Sequence, residues 1–202
     1  MALPSTRPES LGLTLPAIAA RLAGRVPTRY VGQSERRAAV AAVLRPGPTE
    51  PELLLIRRAD RVGDPWSGHM ALPGGHHGQG DRDLLATALR ETHEEVGLDL
   101  ADHRLLGSLD EHPATARGNF MGIVIAPFVF ALDRDVELRP NAHEVAEFVW
   151  APLARMARGE TDVIKELERD GQIVRFPGFR VGEQVVWGLT HRVLTDFFTL
   201  LR

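Results

Sequence analysis

Between Asp83 and Gly97 the chain carries a helical period with two faces. Leu85, Leu89, Thr92 and Val96 recur at three- and four-residue spacing, while Glu91, Glu94 and Glu95 gather on another side. One stripe must enter a core and the other presents three carboxylates. Asp81 or Asp83 can cap the start of this helix, and Gly97 stands where a left-handed residue ends it. Carboxylates three or four apart on a helix have Cβ atoms about 5–6 Å apart, and two such charges repel by roughly 3 kcal/mol when partly buried. A cation is therefore expected among them, and a hard divalent ion such as Mg²⁺, which takes oxygen ligands and keeps several waters, fits best. The helix alone also admits a solvated acidic face, where each such pair costs only about 0.2–0.5 kcal/mol.

The surroundings sharpen the reading. Pro73-Gly74-Gly75 lies a short loop ahead of the helix, and paired glycines let a backbone carbonyl approach a metal or ligand, as well as making ordinary tight turns. Arg90, next to Glu91, can orient the carboxylates through a charge-assisted fork or form a surface ion pair. Arg57, Arg58 and Arg61 can recognise phosphate in the same way, solvent exposure being the commoner use of such residues. His76-His77 and His93 invite a zinc reading, but no histidine pair on the helix has the spacing that a zinc site uses. Of the three tryptophans, Trp150 falls in a strand pattern and reads as core, Trp187 could stack on a base, and Trp66 is the open one, in a loop.

Around the helix, strands are predicted at Arg37 to Leu44, Leu53 to Ile56, Arg104 to Leu109, Ile123 to Leu132 and Val145 to Ala151. The stretch from Arg57 to Gly80 reads as a long loop of the kind that carries function. Pro152 to Leu167 is predicted helical, Ile173 to Trp187 a hairpin, and Leu189 to Leu201 an amphipathic helix. This alternation implies an α/β (α+β) sandwich. Leu15 to Leu22 reads as a short docking helix within a helical extension over 1–34, ahead of a domain over 35–202. The net charge of −3 supplies no basic field for a nucleic-acid polymer. With no cysteine in the chain, disulfides and thiolate chemistry drop out. No apolar stretch approaches the roughly 20 residues that span a bilayer, and a cytoplasmic protein is expected. Arg7, Arg21 and Arg25 against the single Glu9 give a faint transit-peptide alternative.

Gly74-Gly75 through Arg90-Glu91-Thr92-His93-Glu94-Glu95-Val96-Gly97-Leu98 resembles the signature box of the Nudix hydrolases, which here would span about 75–98. The resemblance implies an α/β/α sandwich with a mixed central sheet, with Glu91, Glu94 and Glu95 holding Mg²⁺ or Mn²⁺ beside the Gly75 backbone, and Arg90 orienting them. The family's earlier glutamate position falls on Arg82, with Asp81 the nearest substitute. Related enzymes often recruit a later acid as general base, which adds Glu144 and Glu147 to the helix candidates Glu91 and Glu94. Leu53-Leu54 with Arg57, then Gly68, Leu72-Pro73-Gly74-Gly75, Thr87-Ala88-Leu89-Arg90-Glu91 and Trp187-Gly188-Leu189-Thr190 resemble the coenzyme A diphosphatase branch. Leu72 stands where that branch usually has Phe, and Asp64 where an arginine is common.

The resemblance thus implies metal-dependent cleavage of a small nucleoside diphosphate derivative. Coenzyme A or an acyl-coenzyme A leads, with Arg57, Arg58, Gly74 and Gly75 contacting the substrate and a coenzyme A 3′-phosphate a suitable target for the arginines. ADP-ribose, a dinucleotide or an oxidised nucleotide are the rival substrates, and a catalytically silent nucleotide-binding module is the rival class. A homodimer is a family-level expectation.

Overall fold

Ala39, Ala41 and Val43 alternate with Ala42 and Leu44, and Leu53 and Leu55 alternate with Leu54 and Ile56; all of them are buried. Strands that are apolar on both faces need cover on both sides. The computed structural model, which describes residues 12–32, 36–64, 66–116, 119–169 and 171–202, provides it.

In chain order the elements are α1 (Leu15–Leu22), β1 (Arg36–Arg45), β2 (Glu52–Arg58), β3 (Met70–Ala71), β4 (Gly74–His76), α2 (Leu84–Val96), a 3-10 turn (Leu100–Asp102), β5 (Arg104–Ser108), β6 (His112–Ala116) and β7 (Asn119–Ala131). They continue with β8 (Val145–Pro152), α3 (Leu153–Ala157), β9 (Asp162–Arg169), β10 (Gln172–Val181), β11 (Gln184–Trp187) and α4 (Gly188–Leu201). An eight-stranded sheet runs β3-β2-β1-β7-β5, with β4 also on β1, β6 on β7 and β8 on β2. β1 and β7 are parallel and the other pairs antiparallel, so the central sheet is mixed. A second sheet, β11-β10-β9, has three strands.

Two cores follow from the alternation. On one face α2 packs through Ala88 and Val96 against Ala39, Ala41, Leu54, Phe128 and Phe130. On the other, Ile18 and Leu22 of α1, Leu153 and Met156 of α3, and Phe197 and Phe198 of α4 cover Ala42, Leu44, Leu53 and Val129. Each fully buried large side chain contributes about 1.5–3 kcal/mol. The alanines do something more specific: Ala39, Ala41 and Ala88 are all 0% exposed, so α2 settles close onto β1 and beside β4. On the strands' other flank, the chain ahead of β1 is clamped by Glu111, which is buried. Glu111 pairs with Arg29 at 2.9 Å and with Arg37, and accepts the Tyr30 N–H at 2.9 Å.

Several expectations are corrected. The helix expected over Pro152 to Leu167 stops at Ala157: Gly159 takes φ +76°, and Asp162–Arg169 pairs antiparallel along β10 as β9. Within the expected long loop, β3 and β4 form because the edges of β2 and β1 offer them backbone partners. β6 was not anticipated, and it extends β7 back to Asn119 in a hairpin. Trp66 is not open: it is half-buried against Ala38, Ala114 and Ile123. Trp150 is half-buried at the edge of the core, with the Arg45 guanidinium 4.2 Å from its ring centroid. Trp187 stacks on His69 and Phe176, at 4.6 and 5.1 Å between centroids. Arg7 and Glu9 lie outside the described residues. Among the described residues no helix is long and apolar enough to cross a membrane.

Candidate active site

The Asp83 side chain caps α2 by accepting the Ala86 N–H at 2.8 Å, and Gly97 ends the helix at φ +68°. The far end is tied down from outside, since Arg139 and Asn141 donate their N–H groups to the Val96 and Glu95 carbonyls at 2.8 and 2.9 Å. Those two bonds set the course of the chain into β8 and bring Glu144 toward the carboxylates.

The Pro73–His77 backbone is locked onto β1. Ala41 N–H donates to the Pro73 carbonyl at 2.8 Å, Gly74 and Gly75 lie opposite Val40 and Ala39, and His77 N–H donates to the Arg37 carbonyl at 2.9 Å. Gly74 is required there by backbone contact and positive φ, whereas at Gly75 a side chain would displace the Glu91 carboxylate. At Gly74, with φ +147°, a Cβ would sit 2.6 Å from the Val40 Cα; at Gly75 it would sit 2.5 Å from the Glu91 Cδ. The Gly75 backbone is thus pressed against the Glu91 carboxylate, with no room for a side chain between them.

The three glutamates occupy graded environments rather than one shared acidic face. Glu94 is exposed, Glu91 half-buried, and Glu95 is 2% exposed. Glu95 accepts the Gly74 N–H at 2.8 Å. Burial nevertheless dominates and pushes its carboxyl up to about 8, opposed by the Gly74 bond and the Arg58 charge and assisted by Glu91 and Glu144. Burial also raises Glu91, against the bond and charge from Arg90. These are carboxylates short of positive charge.

Arg90 organises what charge there is. Its Nε and Nη2 make a two-pronged fork to Asp81, both at 2.8 Å, Nη1 donates to Glu91 and Glu94 at 2.9 Å each, and Nη2 also reaches the His76 carbonyl at 3.0 Å. Asp81, with 5% of its side chain exposed, further accepts from Gly78 N–H at 2.8 Å and Thr87 Oγ1 at 2.9 Å. The Arg90 fork, with those bonds, holds Asp81 well below the ordinary carboxylate range against the cost of burial. Asp81 is therefore bound to Arg90 with both oxygens committed. Arg82 points out to solvent and pairs with Asp83 at 3.0 Å. Sequence reasoning had the candidate but not its partner, Arg90, which lies nine residues further along the chain and directly before Glu91.

Across from α2, Arg58 donates to Asp64 at 2.8 Å, Arg57 lies 3.3 Å from Glu147, and Arg61 donates to the His143 carbonyl at 2.8 Å and lies 3.9 Å from Glu144. His77 shares a hydrogen bond with Thr87 at 2.8 Å. Among the described residues no three His, Asp or Glu side chains converge as a ready cage. Magnesium does not need one, because it is commonly held by one or two carboxylates with waters and substrate oxygens. Buried Glu95 and half-buried Glu91, both raised by burial, beside a bare glycine backbone fit that demand.

A model of the NUDIX domain matches residues 35–170. The chain belongs to the Nudix family. It is 35% identical over 152 residues to the human mitochondrial coenzyme A diphosphatase NUDT8, covering 73% of this chain and 61% of that protein. It is 31% identical over 170 residues to NudL, an uncharacterised Nudix hydrolase of Photorhabdus laumondii, covering 83% and 86%. An uncharacterised Schizosaccharomyces pombe protein is 45% identical over 107 residues, 52% of this chain and only 32% of that one, so the chain spans about a third of that relative's length. Two solved Nudix structures share the fold. The C. elegans Ap4A hydrolase binary complex has a TM-score of 0.50 and 21% identity over 61% of this chain and 84% of that one. A MutT/nudix protein from Enterococcus faecalis has 0.52 and 16% over 92% and 68%. The NUDIX match spans α2 and the Gly74–Gly75 turn.

Proposed function

We propose that this Nudix protein is a Mg²⁺- or Mn²⁺-dependent hydrolase of the diphosphate linkage in a small nucleoside diphosphate derivative, with coenzyme A and its acyl derivatives as the leading class. The products would be a phosphopantetheine and an adenosine bisphosphate. The observation that carries the reading is the Arg90 hub: one guanidinium joins Asp81, Glu91 and Glu94 beside a glycine backbone that touches the Glu91 carboxylate. The similarity to NUDT8 supports the coenzyme A class.

Glu91, Glu94, Glu95 and the Gly75 carbonyl are the groups that would hold the metal. A divalent ion held there would supply Lewis-acid activation of the attacking water and would offset charge on the diphosphate. Arg90 keeps Glu91 and Glu94 in register, so little reorganisation remains when substrate arrives. Glu144, about one-third exposed and close enough to Glu91 and Glu95 to raise both by its charge, is the acid we assign to take a proton from the attacking water. Arg57 and Arg58 line the opposite side as substrate contacts.

The test is mass-spectrometric product analysis of wild type and Glu94→Gln with Mg²⁺ on coenzyme A, ADP-ribose, NADH and nucleoside triphosphates. Metal-dependent release by wild type with a loss of about 10²-fold or more in the variant is expected. No metal-dependent turnover on any compound would leave a nucleotide-binding module instead.

A further inference from the structure

Two buried threonines on α2 use their hydroxyls differently. Thr92 returns its proton to the Ala88 carbonyl four residues back, at 2.7 Å, which is the ordinary habit of a threonine within a helix. Thr87, 0% exposed, lies 3.3 Å from the equivalent carbonyl, that of Asp83, and 2.9 Å from Asp81 Oδ2. A hydroxyl has one proton and a carboxylate is the stronger acceptor, so the proton goes to Asp81. The His77 ring meets the same hydroxyl, with Nδ1 2.8 Å from Oγ1. Since the hydroxyl proton is committed, Nδ1 must carry the hydrogen of that bond, and this assigns the His77 tautomer. His77 stands 3.8 Å from Asp81, beyond a hydrogen bond, and reaches it through Thr87.

The bonds therefore run in one direction. His77 donates to Thr87, Thr87 donates to Asp81, and Asp81 accepts both prongs of Arg90, whose Nη1 holds Glu91 and Glu94. Hydrogen bonds in series polarise one another. The series starts on the sheet, because the His77 N–H is bonded to the Arg37 carbonyl of β1 at 2.9 Å. Asp81 itself belongs to no helix or strand, and beside Arg90 its side chain has the Gly78 N–H and Thr87 as donors. Thr87 lies one turn ahead of Arg90 and Glu91, so it ties Asp81 to the helix that carries the carboxylates. Without that hydroxyl the Arg90 fork would be docked on a loop.

We propose that Thr87 is a positioning residue for the reaction: through Asp81 it sets the orientation of Arg90, and so of Glu91 and Glu94, while His77 fixes the direction of its hydroxyl. The proposal rests on the diphosphate cleavage proposed above and adds two residues to it.

The first readout uses the metal-free full chain. The Arg90 Nε–H signal in proton–nitrogen NMR, assigned by its loss in Arg90→Lys, should be protected from exchange with water. Thr87→Val keeps the side-chain shape and removes the hydroxyl, and exchange at that Nε–H should rise about tenfold or more. The second readout uses the Mg²⁺-loaded enzyme on whichever diphosphate the wild type cleaves. There Thr87→Val should lose about tenfold in kcat with KM changed less than about twofold, as for a group that orients the machinery and leaves substrate affinity alone. Thr87→Ser restores the hydroxyl without the methyl group and should recover most of both readouts. His77→Ala should give a smaller loss, with none further when combined with Thr87→Val. If Thr87→Val does not fold, Thr87→Ala read against Thr87→Ser takes its place.

A Thr87→Ser enzyme as impaired as Thr87→Val would assign the effect to packing of the methyl group and overturn the proposal. A lower kcat with Arg90 Nε–H exchange unchanged would also overturn it, as would a Thr87→Val enzyme within about twofold of wild type in kcat. Each of these results leaves diphosphate cleavage standing. A wild type that cleaves no diphosphate removes the functional reading and this role together.

Discussion

In metal-free protein, Glu95→Gln should make the fold more stable at alkaline pH while removing turnover. Glu95 is 2% exposed, and burial carries its carboxyl from 4.5 to about 8 despite the Gly74 N–H. Between those two values the folded chain binds a proton that the unfolded chain has released, so stability falls as pH rises across the window. This is the reverse of the ordinary salt-bridged carboxylate. At 1.36 kcal/mol per pKa unit the full difference is about 4–5 kcal/mol, and relaxation with water entry reduces what is measurable to about 2–3 kcal/mol. For a chain of this size that is a shift of about 5–10 °C in Tm. Calorimetric scans in EDTA from pH 5 to pH 9 should show wild type losing stability relative to Glu95→Gln as pH rises, and added Mg²⁺ at pH 8 should restore wild type far more than the variant. Parallel curves for the two proteins across the whole range would refute the reasoning.

Three further outcomes are expected. Gly75→Ala should displace the Glu91 carboxylate, whose Cδ lies 2.5 Å from the new methyl position, and reduce kcat by about 10²-fold with circular dichroism unchanged. Asp81→Asn should loosen the Arg90 fork and cost about 1–3 kcal/mol in urea unfolding at pH 7. Because the Asp81 pKa is depressed, that difference should disappear as acid protonates Asp81 in the wild type. Ala88→Leu should overpack the contact between α2 and Ala39 and Ala41, costing about 1–3 kcal/mol in thermal or urea unfolding and lowering turnover by lifting the glutamates off β4.

The long, strongly patterned elements were legible because one physical signal governed each. Asp83 and Gly97 bracket α2 as cap and stop, and the alternation in β1, β2 and β7 fits a sheet covered on both faces. The pieces that escaped depend on partners distant in sequence. β4 is three residues whose strand character comes from hydrogen bonds to β1, and β9 carries enough helix-forming residues to read as helix until β10 pairs with it. The same applies within the site. Period alone put Glu95 with Glu91 and Glu94, but only the fold shows it sealed beneath Gly74; the spacing gave Asp81 as a substitute acid, but only the reach of the Arg90 side chain shows what it does. Trp66 read as open because a loop position carries no period, and its contacts with Ala38, Ala114 and Ile123 come from three separate strands.

The parallel pairing of β1 with β7 sets a timetable for assembly. Arg36 lies opposite Ile123 and Leu44 opposite Ala131, so the strand beneath the box helix gains its neighbour on that side only when a segment far downstream has been made. Loop-closure entropy must be met before that contact returns anything, which makes it a slow step. On a ribosome synthesising at about 5–20 residues per second, the box helix would emerge seconds before its sheet is complete. During that interval its carboxylates would be exposed to water, so the metal proposed for them would be captured only at the end of folding.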